Sequence, residues 1–300
     1  MIKTLNICEQ FYKTKEISFE DFSYLMELDG EEAEVLHAFA RDLAVKNFGK
    51  EIYIRGLIEV STYCKNNCYY CGLRFANKEA KRVRLSKEEI LDLAKHSVDL
   101  GIKTIVMQGG EDEFYSLEYL KEIIGEIKEK FSDVAITLSL GERDFKDFEV
   151  LKNMGADRYL LRHETYSKSH YERLHPSSMS FQHRIDSILK LKELGFQTGC
   201  GMMVGSPYQE LENLYEDLKF ILKLKPEMVG IGPFIPQHDT PFRDFEAGKL
   251  RDVLNILSIV RIADEKLLLP STTALGSIDD FGREKGILAG ANVLMPNVGA

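Results

Sequence analysis

The 300-residue chain predicts an α/β fold, a (βα)8 barrel of the TIM type with an N-terminal helical cap. Three observations carry that expectation. From about residue 51 onward, short β-branched or apolar runs alternate with longer stretches of helical periodicity, as parallel βα units require. Eight such runs are present, whereas open doubly wound sheets commonly use about five to seven strands. Glycines directly follow several helical stretches, where a left-handed residue ends a helix before the next strand.

Ahead of the barrel, residues 18–28 and 31–48 read as two helices, the second placing Val35, Leu36, Phe39, Ala40 and Leu43 on one face. They make the cap, residues 1–50, expected at the N-terminal end of a barrel spanning residues 51–300. Strands are expected at 53–62, 103–108, 134–140, 157–163, 197–204, 228–235, 267–273 and 292–296. Ser86 with Glu89 three residues on is a capping-box pattern, and Gly101 stands where that helix should stop. Gly155 and Gly195 punctuate the helices before the fourth and fifth strands in the same way. The chain reaches Ala300 four residues after the last strand, so no eighth outer helix is expected.

Lys and Arg number 39 against 48 Asp and Glu, a formal net charge of −9. That balance argues against binding nucleic acid through a broad basic surface, while a local pocket for a small anion stays open. Nowhere do 18 apolar residues run together, and Met1 to Phe22 holds no apolar core of signal-peptide length. A cytoplasmic protein with no membrane partner is expected. Five cysteines are too few for a disulfide framework. Cys64, Cys68 and Cys71 fall within eight residues, while Cys8 and Cys200 stand apart and read as small buried residues.

The segment Cys64-Lys-Asn-Asn-Cys68-Tyr-Tyr-Cys71 has the spacing C-x3-C-x2-C, in a loop directly after the first expected strand. In a barrel that loop lies on the C-terminal face, where catalytic groups collect. Three thiolates this close can converge on one metal centre, and soft sulfur ligands select zinc or iron–sulfur clusters. A closed zinc site needs a fourth protein ligand, and no Cys or His occurs in the next twenty residues, although a distant His96 or His163 would complete one. Three thiolates on a 4Fe-4S cube instead leave one iron open to an outside ligand.

Other strand ends carry polar groups. Gln108-Gly109-Gly110-Glu111 follows the second strand, and its glycines let a ligand approach the main chain. Thr137 and Ser139 share one face of the third strand, and Arg158, Leu160, Arg162 and Glu164 share one face of the fourth. Branched aliphatic residues normally fill these places, so the charges mark a polar site above the core, a solvated strand end or a helix-facing salt bridge. On the first strand Arg55 and Glu59 are about 13 Å apart at roughly 3.3 Å per residue, too far to pair. Arg55 therefore needs another anion, from a substrate or from a Glu on a neighbouring strand. Gly230-Ile-Gly-Pro-Phe-Ile-Pro236 ends the sixth strand with an apolar, backbone-accessible surface suited to a flat ring, Thr272 and Thr273 end the seventh, and Met295 ends the eighth.

The cysteine spacing, with Tyr70 directly before the last Cys, resembles that of the radical S-adenosylmethionine (SAM) enzymes. A wider set of segments is more specific: Glu59-Val-Ser-Thr-Tyr-Cys64, Tyr70-Cys-Gly-Leu-Arg74, Thr137-Leu-Ser-Leu-Gly-Glu142, Arg158-Tyr-Leu-Leu-Arg-His-Glu-Thr165, Met228 to Pro236, Ser271-Thr-Thr-Ala-Leu-Gly276 and Gly290-Ala-Asn-Val-Leu-Met-Pro-Asn297. From about residue 51 to the end these are similar to the HydE family of FeFe-hydrogenase maturases, radical SAM barrels related to biotin synthase and methylornithine synthase.

The resemblance implies that Cys64, Cys68 and Cys71 hold a 4Fe-4S cluster whose open iron is chelated by SAM. It further implies that Tyr70, Gly109, Gly110, Glu111, Ser139, Glu164, Arg184, Ile231 and Pro233 form the SAM site. Glu164 would face the ammonium, and Arg184 the carboxylate, where a planar guanidinium binds two oxygens. Arg55, Thr137, Arg162, Thr272, Thr273 and Met295 would line a substrate cavity deeper in the barrel. The implied reaction is reductive cleavage of SAM to a 5'-deoxyadenosyl radical, acting on an iron complex that carries CO, cyanide and cysteine. Other hydrogenase maturases and an electron donor are the implied partners. Two further readings stay open: a methylornithine synthase or biotin synthase type of enzyme acting on a small amino acid, and a non-catalytic iron–sulfur carrier. Against the family pattern, a C-terminal segment that closes the barrel is absent.

Overall fold

A computed structural model describes residues 1–299. Three helices, α1 (Ile2–Thr14), α2 (Phe19–Glu27) and α3 (Gly30–Phe48), precede the first strand. The second and third match expectation, with Ser18 and Asp29 as their caps. The first escapes a sequence reading because its buried stripe is narrow, only Thr4, Ile7, Cys8 and Phe11, and no side chain caps its start.

The chain then runs β1 (Tyr53–Ile54), β2 (Gly56–Ser61), α4 (Lys87–Asp99), β3 (Thr104–Gly109), α5 (Leu117–Lys130), β4 (Ala135–Ser139), α6 (Phe145–Asn153) and β5 (Arg158–Leu160). It continues through α7 (Lys168–Leu174), α8 (Phe181–Glu193), β6 (Gln197–Val204), α9 (Leu211–Leu224), β7 (Met228–Pro233), α10 (Leu250–Ala263), α11 (Thr273–Ile278), α12 (Gly282–Leu288) and β8 (Val293–Leu294). The capping box on α4 is present, Ser86 Oγ accepting from the Glu89 N–H while the Glu89 carboxylate accepts from the Ser86 N–H. The N-terminal helices lie on the outer helices, α3 along α10 and against α12, α2 against α9 and α10.

Strands β2 to β7 form one parallel sheet in chain order, and β1 pairs in parallel with β8. The expected first strand breaks at Arg55, leaving two short pieces in different sheets. The expected seventh strand forms no ladder of its own, yet Leu268 bridges Met228 and Pro270 bridges Val293. With Leu57 bridging Asn297, these contacts join the two sheets and all eight predicted runs close a ring. Pro270 has no N–H to give, which explains why no regular ladder forms there.

Side chains supply what the ladder lacks. Arg261 is fully buried on α10 and donates to the carbonyls of Gly290, Glu265 and Leu267 and to Asn292 Oδ1, which also accepts from the Leu269 N–H. Burial pulls its pKa down to about 10, so the guanidinium stays charged at neutral pH. Around the ring, Ile58 and Val60 of β2, Ile105 and Met107 of β3 and Ile136 and Leu138 of β4 are fully buried with Ile90, Leu120, Ile123 and Leu151 of the outer helices. Each such side chain contributes roughly 1.5–3 kcal/mol. Cys8 and Cys200 belong to this core. Among the described residues no helix is long and apolar enough to cross a membrane.

Replacing Arg261 by Met removes the side-chain donor from the buried Gly290 and Leu267 carbonyls and the half-buried Glu265 carbonyl, while Asn292 Oδ1 keeps the Leu269 N–H. The expected cost is about 3 kcal/mol or more in urea unfolding. A loss under about 1 kcal/mol would mean that those acceptors find other donors.

Candidate active site

The loop between β2 and α4 carries the cysteines and is tied down by two arginines. Arg82 donates to the carbonyls of Thr62, Leu73, Arg74 and Asn77, on both sides of the triad, and meets no carboxylate. Arg84 binds Asp112 in a two-pronged pair at 2.7 and 2.8 Å, and Asp112 also accepts from Ser61 Oγ at 2.6 Å. Burial alone would raise the Asp112 carboxyl, but these bonds hold it below the ordinary carboxylate value. Asn67 Oδ1 accepts from the Ala76 N–H and the Asn66 carbonyl from the Phe75 N–H, which folds the loop back on itself.

Cys64, Cys68 and Cys71 are half-buried free thiols on that loop. Burial pushes all three thiols up, Cys68 to about 12, with Cys71 and Cys64 adding like-charge repulsion. Thiolates so disfavoured need a cationic centre. Among the described residues no three His, Cys, Asp or Glu side chains are grouped to hold a single ion. His96 is exposed on α4, and His163 is fully buried against Asp217. Three thiols spread around one loop fit a cluster that gives each sulfur its own iron.

Tyr70, immediately before Cys71, donates its hydroxyl to His175 Nε2 at 3.2 Å. His175 Nδ1 lies 2.9 Å from the Tyr171 carbonyl, so that nitrogen carries the proton and the ring is neutral. Burial pushes the His175 pKa down to about 3.

The β3 turn lies tightly against the cysteine loop. A Cβ at Gly110 would stand 2.2 Å from the Tyr63 carbonyl oxygen and 2.7 Å from Cys64 Cβ, so only glycine fits. Gly109 is nearly as close, 3.1 Å from the Ser61 carbonyl. Glu111 turns toward the next loop, its Oε1 accepting from the Glu142 N–H at 2.9 Å, and therefore positions that loop. Glu142, which the sequence reading did not single out although it closes the Thr137 to Glu142 segment, pairs with Arg184 Nε. Arg184 is buried on α8 and donates from NH1 to the Arg162 carbonyl at 2.7 Å. Burial works against its charge, and the Glu142 carboxylate outweighs it, so the guanidinium is held firmly protonated. Ser139, at the end of β4, is half-buried beside this loop.

Glu164 occupies the left-handed region, φ 65°, uncommon outside glycine. Two bonds to β6 hold it there: its N–H donates to the Gly201 carbonyl at 3.0 Å, and its carbonyl accepts from the Met203 N–H at 3.1 Å. Next to it, His163 Nε2 is 3.2 Å from Asp217 Oδ1 on α9, and His163 Nδ1 accepts from the Gly201 N–H. The conformation aims the Glu164 carboxylate at Arg162, 3.0 Å away, with Oε2 buried and lacking an aligned hydrogen-bond donor.

Beneath the rim, a Cβ at Gly201 would strike the Gly230 carbonyl at 2.2 Å and Arg162 Cγ at 3.0 Å, while one at Gly230 would meet nothing closer than 3.9 Å. Arg162 thus lies across the space the two glycines leave. Ile231 and Pro233 are both buried, Ile231 in the main apolar core. Arg55 is 4% exposed, and among the described residues its guanidinium finds no hydrogen-bond acceptor other than Met228 Sδ. Glu59 bonds Asn297 instead, and no neighbouring Glu pairs with Arg55 among the described residues. Burial, then repulsion from Arg158, lowers the Arg55 pKa to about 10. Thr137 Oγ1 is buried without a partner. Thr272 donates to the Ile231 carbonyl at 3.3 Å, Thr273 is exposed at the start of α11, and Met295 is half-buried after β8.

Residues 58–221 match the Radical SAM superfamily. The chain belongs to that superfamily, in its HydE branch. The [FeFe] hydrogenase maturase subunit HydE of Thermotoga maritima is 45% identical over 264 residues, 88% of this chain and 75% of the relative. The 3-methylornithine synthase of Methanosarcina acetivorans is 30% identical over 289 residues, 95% of this chain and 81% of the relative. Among solved structures, methylornithine synthase (PylB) superposes with a TM-score of 0.87 at 26% identity, over 96% of this chain and 85% of that one. This radical SAM enzyme is therefore a barrel of the hydrogenase-maturation type, and its family implies SAM and an iron–sulfur cluster as cofactors.

Removing the Arg82 clamp by Arg82→Met is expected to weaken cluster retention about ten-fold, read as iron per chain after anaerobic reconstitution and desalting, with Arg82→Lys intermediate. Full retention in Arg82→Met would show that the loop needs no clamp. For His175 the sign follows from its depressed value. An unfolded His titrates near about 6.5, so between there and about 3 the unfolded chain binds more protons. Stability is full above about pH 6.5 and falls on acidification by up to about 1.4 kcal/mol per pH unit from this group. Melting temperatures from about pH 7.5 to 5 should fall less steeply in His175→Gln, and an unchanged slope would refute the assignment.

Proposed function

We propose that this chain is a HydE-type maturase that holds a 4Fe-4S cluster on Cys64, Cys68 and Cys71 and SAM beside Glu164 and Arg184. In this reading it acts on a small anionic iron complex with CO, cyanide and cysteine ligands, supplied by a partner maturase, toward the FeFe-hydrogenase active site. The observation that carries the substrate class is Arg55, a buried guanidinium with no carboxylate partner among the described residues. A buried cation in that state favours an anionic ligand.

When bound, the cluster and SAM supply an electron and a 5'-deoxyadenosyl radical. The chain's own residues do the rest. The Glu164 carboxylate accepts from an ammonium through the oxygen that lacks an aligned donor. Arg184, with Nε on Glu142, NH1 on the Arg162 carbonyl and NH2 3.9 Å from Glu111 Oε1, donates from that last edge to a carboxylate in this reading. Gly110 keeps the β3 turn against Cys64, and Tyr70 is fixed by His175. Below them Arg55 and the unpartnered Thr137 hydroxyl donate to the anion, and the closed ring of strands keeps water from a reactive carbon radical.

A small amino acid, as the methylornithine synthase relatives suggest, offers Arg55 a carboxylate in the same place. Substrate trials separate the two readings. Anaerobically reconstituted protein with reductant should release 5'-deoxyadenosine and, with the other maturases, support hydrogenase activation; a chain that does neither sinks the proposal. Arg55→Met should lower substrate-dependent turnover on the order of ten-fold or more while leaving uncoupled SAM cleavage within about two-fold. Equal loss of both would place Arg55 in SAM binding or folding instead.

A further inference from the structure

The chain's net charge is −9, yet residues 62–86, which hold the three cysteines, contain six cations, Lys65, Arg74, Lys78, Lys81, Arg82 and Arg84, against one acid, Glu79. Their duties differ. Arg82 turns inward onto carbonyls and Arg84 is engaged by Asp112, whereas Lys78 and Lys81 are exposed and form no ion pair.

Apolar side chains are exposed among these cations. Phe75 is 58% exposed, and Tyr63, Val83 and Phe114 are also open to solvent. The Lys78 ammonium lies 4.8 Å from the Phe75 ring centre, and the Arg84 guanidinium lies 3.9 Å from Tyr63 and 5.2 Å from Phe114. Glu79 and Glu113 are the exposed acids at its border. Exposed aromatics set among cations are what recognition surfaces use, a few anchors inside a charged rim.

The patch is fastened to the cysteine loop itself. Tyr63 adjoins Cys64, and the Phe75 and Ala76 N–H groups bond Asn66 and Asn67, which lie between Cys64 and Cys68. A protein seated here rests on the loop that carries the proposed cluster ligands, and electron transfer weakens steeply with distance.

We infer that Tyr63, Phe75, Lys78, Lys81 and Arg84 form the docking surface for an acidic one-electron carrier protein, an inference that rests on the cluster reading above. One electron leaves the reduced carrier and enters the cluster; the carrier is oxidised by one electron, and no bond forms or breaks. Charge complementarity selects the occupant. An acidic carrier is repelled by most of a chain of net charge −9 and drawn to this local excess of cations, which steers encounter. Transient redox interfaces are small, under about 1,200 Å² in total, so a patch of this kind suffices.

The probe is an acidic flavodoxin, with its reductase as electron source. Phe75→Ser combined with Lys78→Glu and Lys81→Glu is compared with Lys50→Glu plus Lys266→Glu, two exposed lysines at the opposite end of the barrel. The expected result is a rise of about ten-fold or more in flavodoxin Kd for the patch variant, measured anaerobically by titration, with the parent Kd weakening as salt is raised. Flavodoxin-driven 5'-deoxyadenosine release should fall with it, while dithionite-driven release stays within about two-fold and the control variant binds like the parent. A patch-variant Kd within about two-fold of the parent overturns the inference, as does an equal loss in the control. A change in the chain's own sedimentation on mutating the patch also overturns it, assigning the surface to a second copy. If the parent chain releases nothing even with dithionite, the proposed function fails, and the binding comparison still decides whether the surface recognises an acidic partner.

Discussion

Closure of the strand ring through the segment at 267–271 is the constraint on which the rest of the molecule depends. Parallel strands bury both faces, so every backbone group on the ring needs a partner. Six strands meet that need with ordinary ladders, but Pro270 interrupts the stretch that must reach β8. Arg261 and Asn292 take over, giving side-chain donors and acceptors where main-chain ones are missing. A guanidinium suits this place because its several N–H groups serve carbonyls arriving from different directions. With this repair the ring of strands closes, and Arg55 inside it is buried.

The rim follows a second logic, in which charges are stabilised by one another rather than by solvent. Glu111 fixes the Glu142 loop, Glu142 fixes Arg184, Arg184 reaches the Arg162 carbonyl, and Arg162 meets Glu164. Two of these contacts are loose: Glu164 Oε2 faces Arg162 without an aligned donor, and Arg184 NH2 stands 3.9 Å from Glu111 Oε1. The sites are thus oriented before any ligand arrives, and less ordering remains to be done on binding.

Much of this was legible in the sequence. The cysteine spacing, the glycine pair after the second strand and the two-residue alternation from Arg158 to Glu164 pointed to the rim, because local spacing alone decides which of those groups can share a face. The eight runs predicted the ring, including the stretch at 267–273 that closes it by single bridges. Other features depend on distant partners and left little local trace. The stripe of α1 is too narrow to stand out from a polar background. Arg82 reads as one more surface cation in a basic run, yet it gathers four carbonyls. Glu142 looked like the end of a strand segment, and only the fold brings it to Arg184. Ile231, expected at a ligand, has its side chain in the main apolar core, a placement that a short apolar run does not disclose.

The strand order also bears on how the molecule is made. Strands β2 to β7 pair in the order in which they leave the ribosome, each with the one before it. A growing chain can therefore build the sheet step by step without waiting for distant partners, and each loop closed along the way is modest in length. The last seam is different: β1 and the start of β2 find their partners only at residues 293–297. Until those residues emerge, the nascent protein is an open trough with the cysteine loop already in place along one side. Enclosure of the strand ring is thus its last step of assembly, set by where the last strand lies in the sequence.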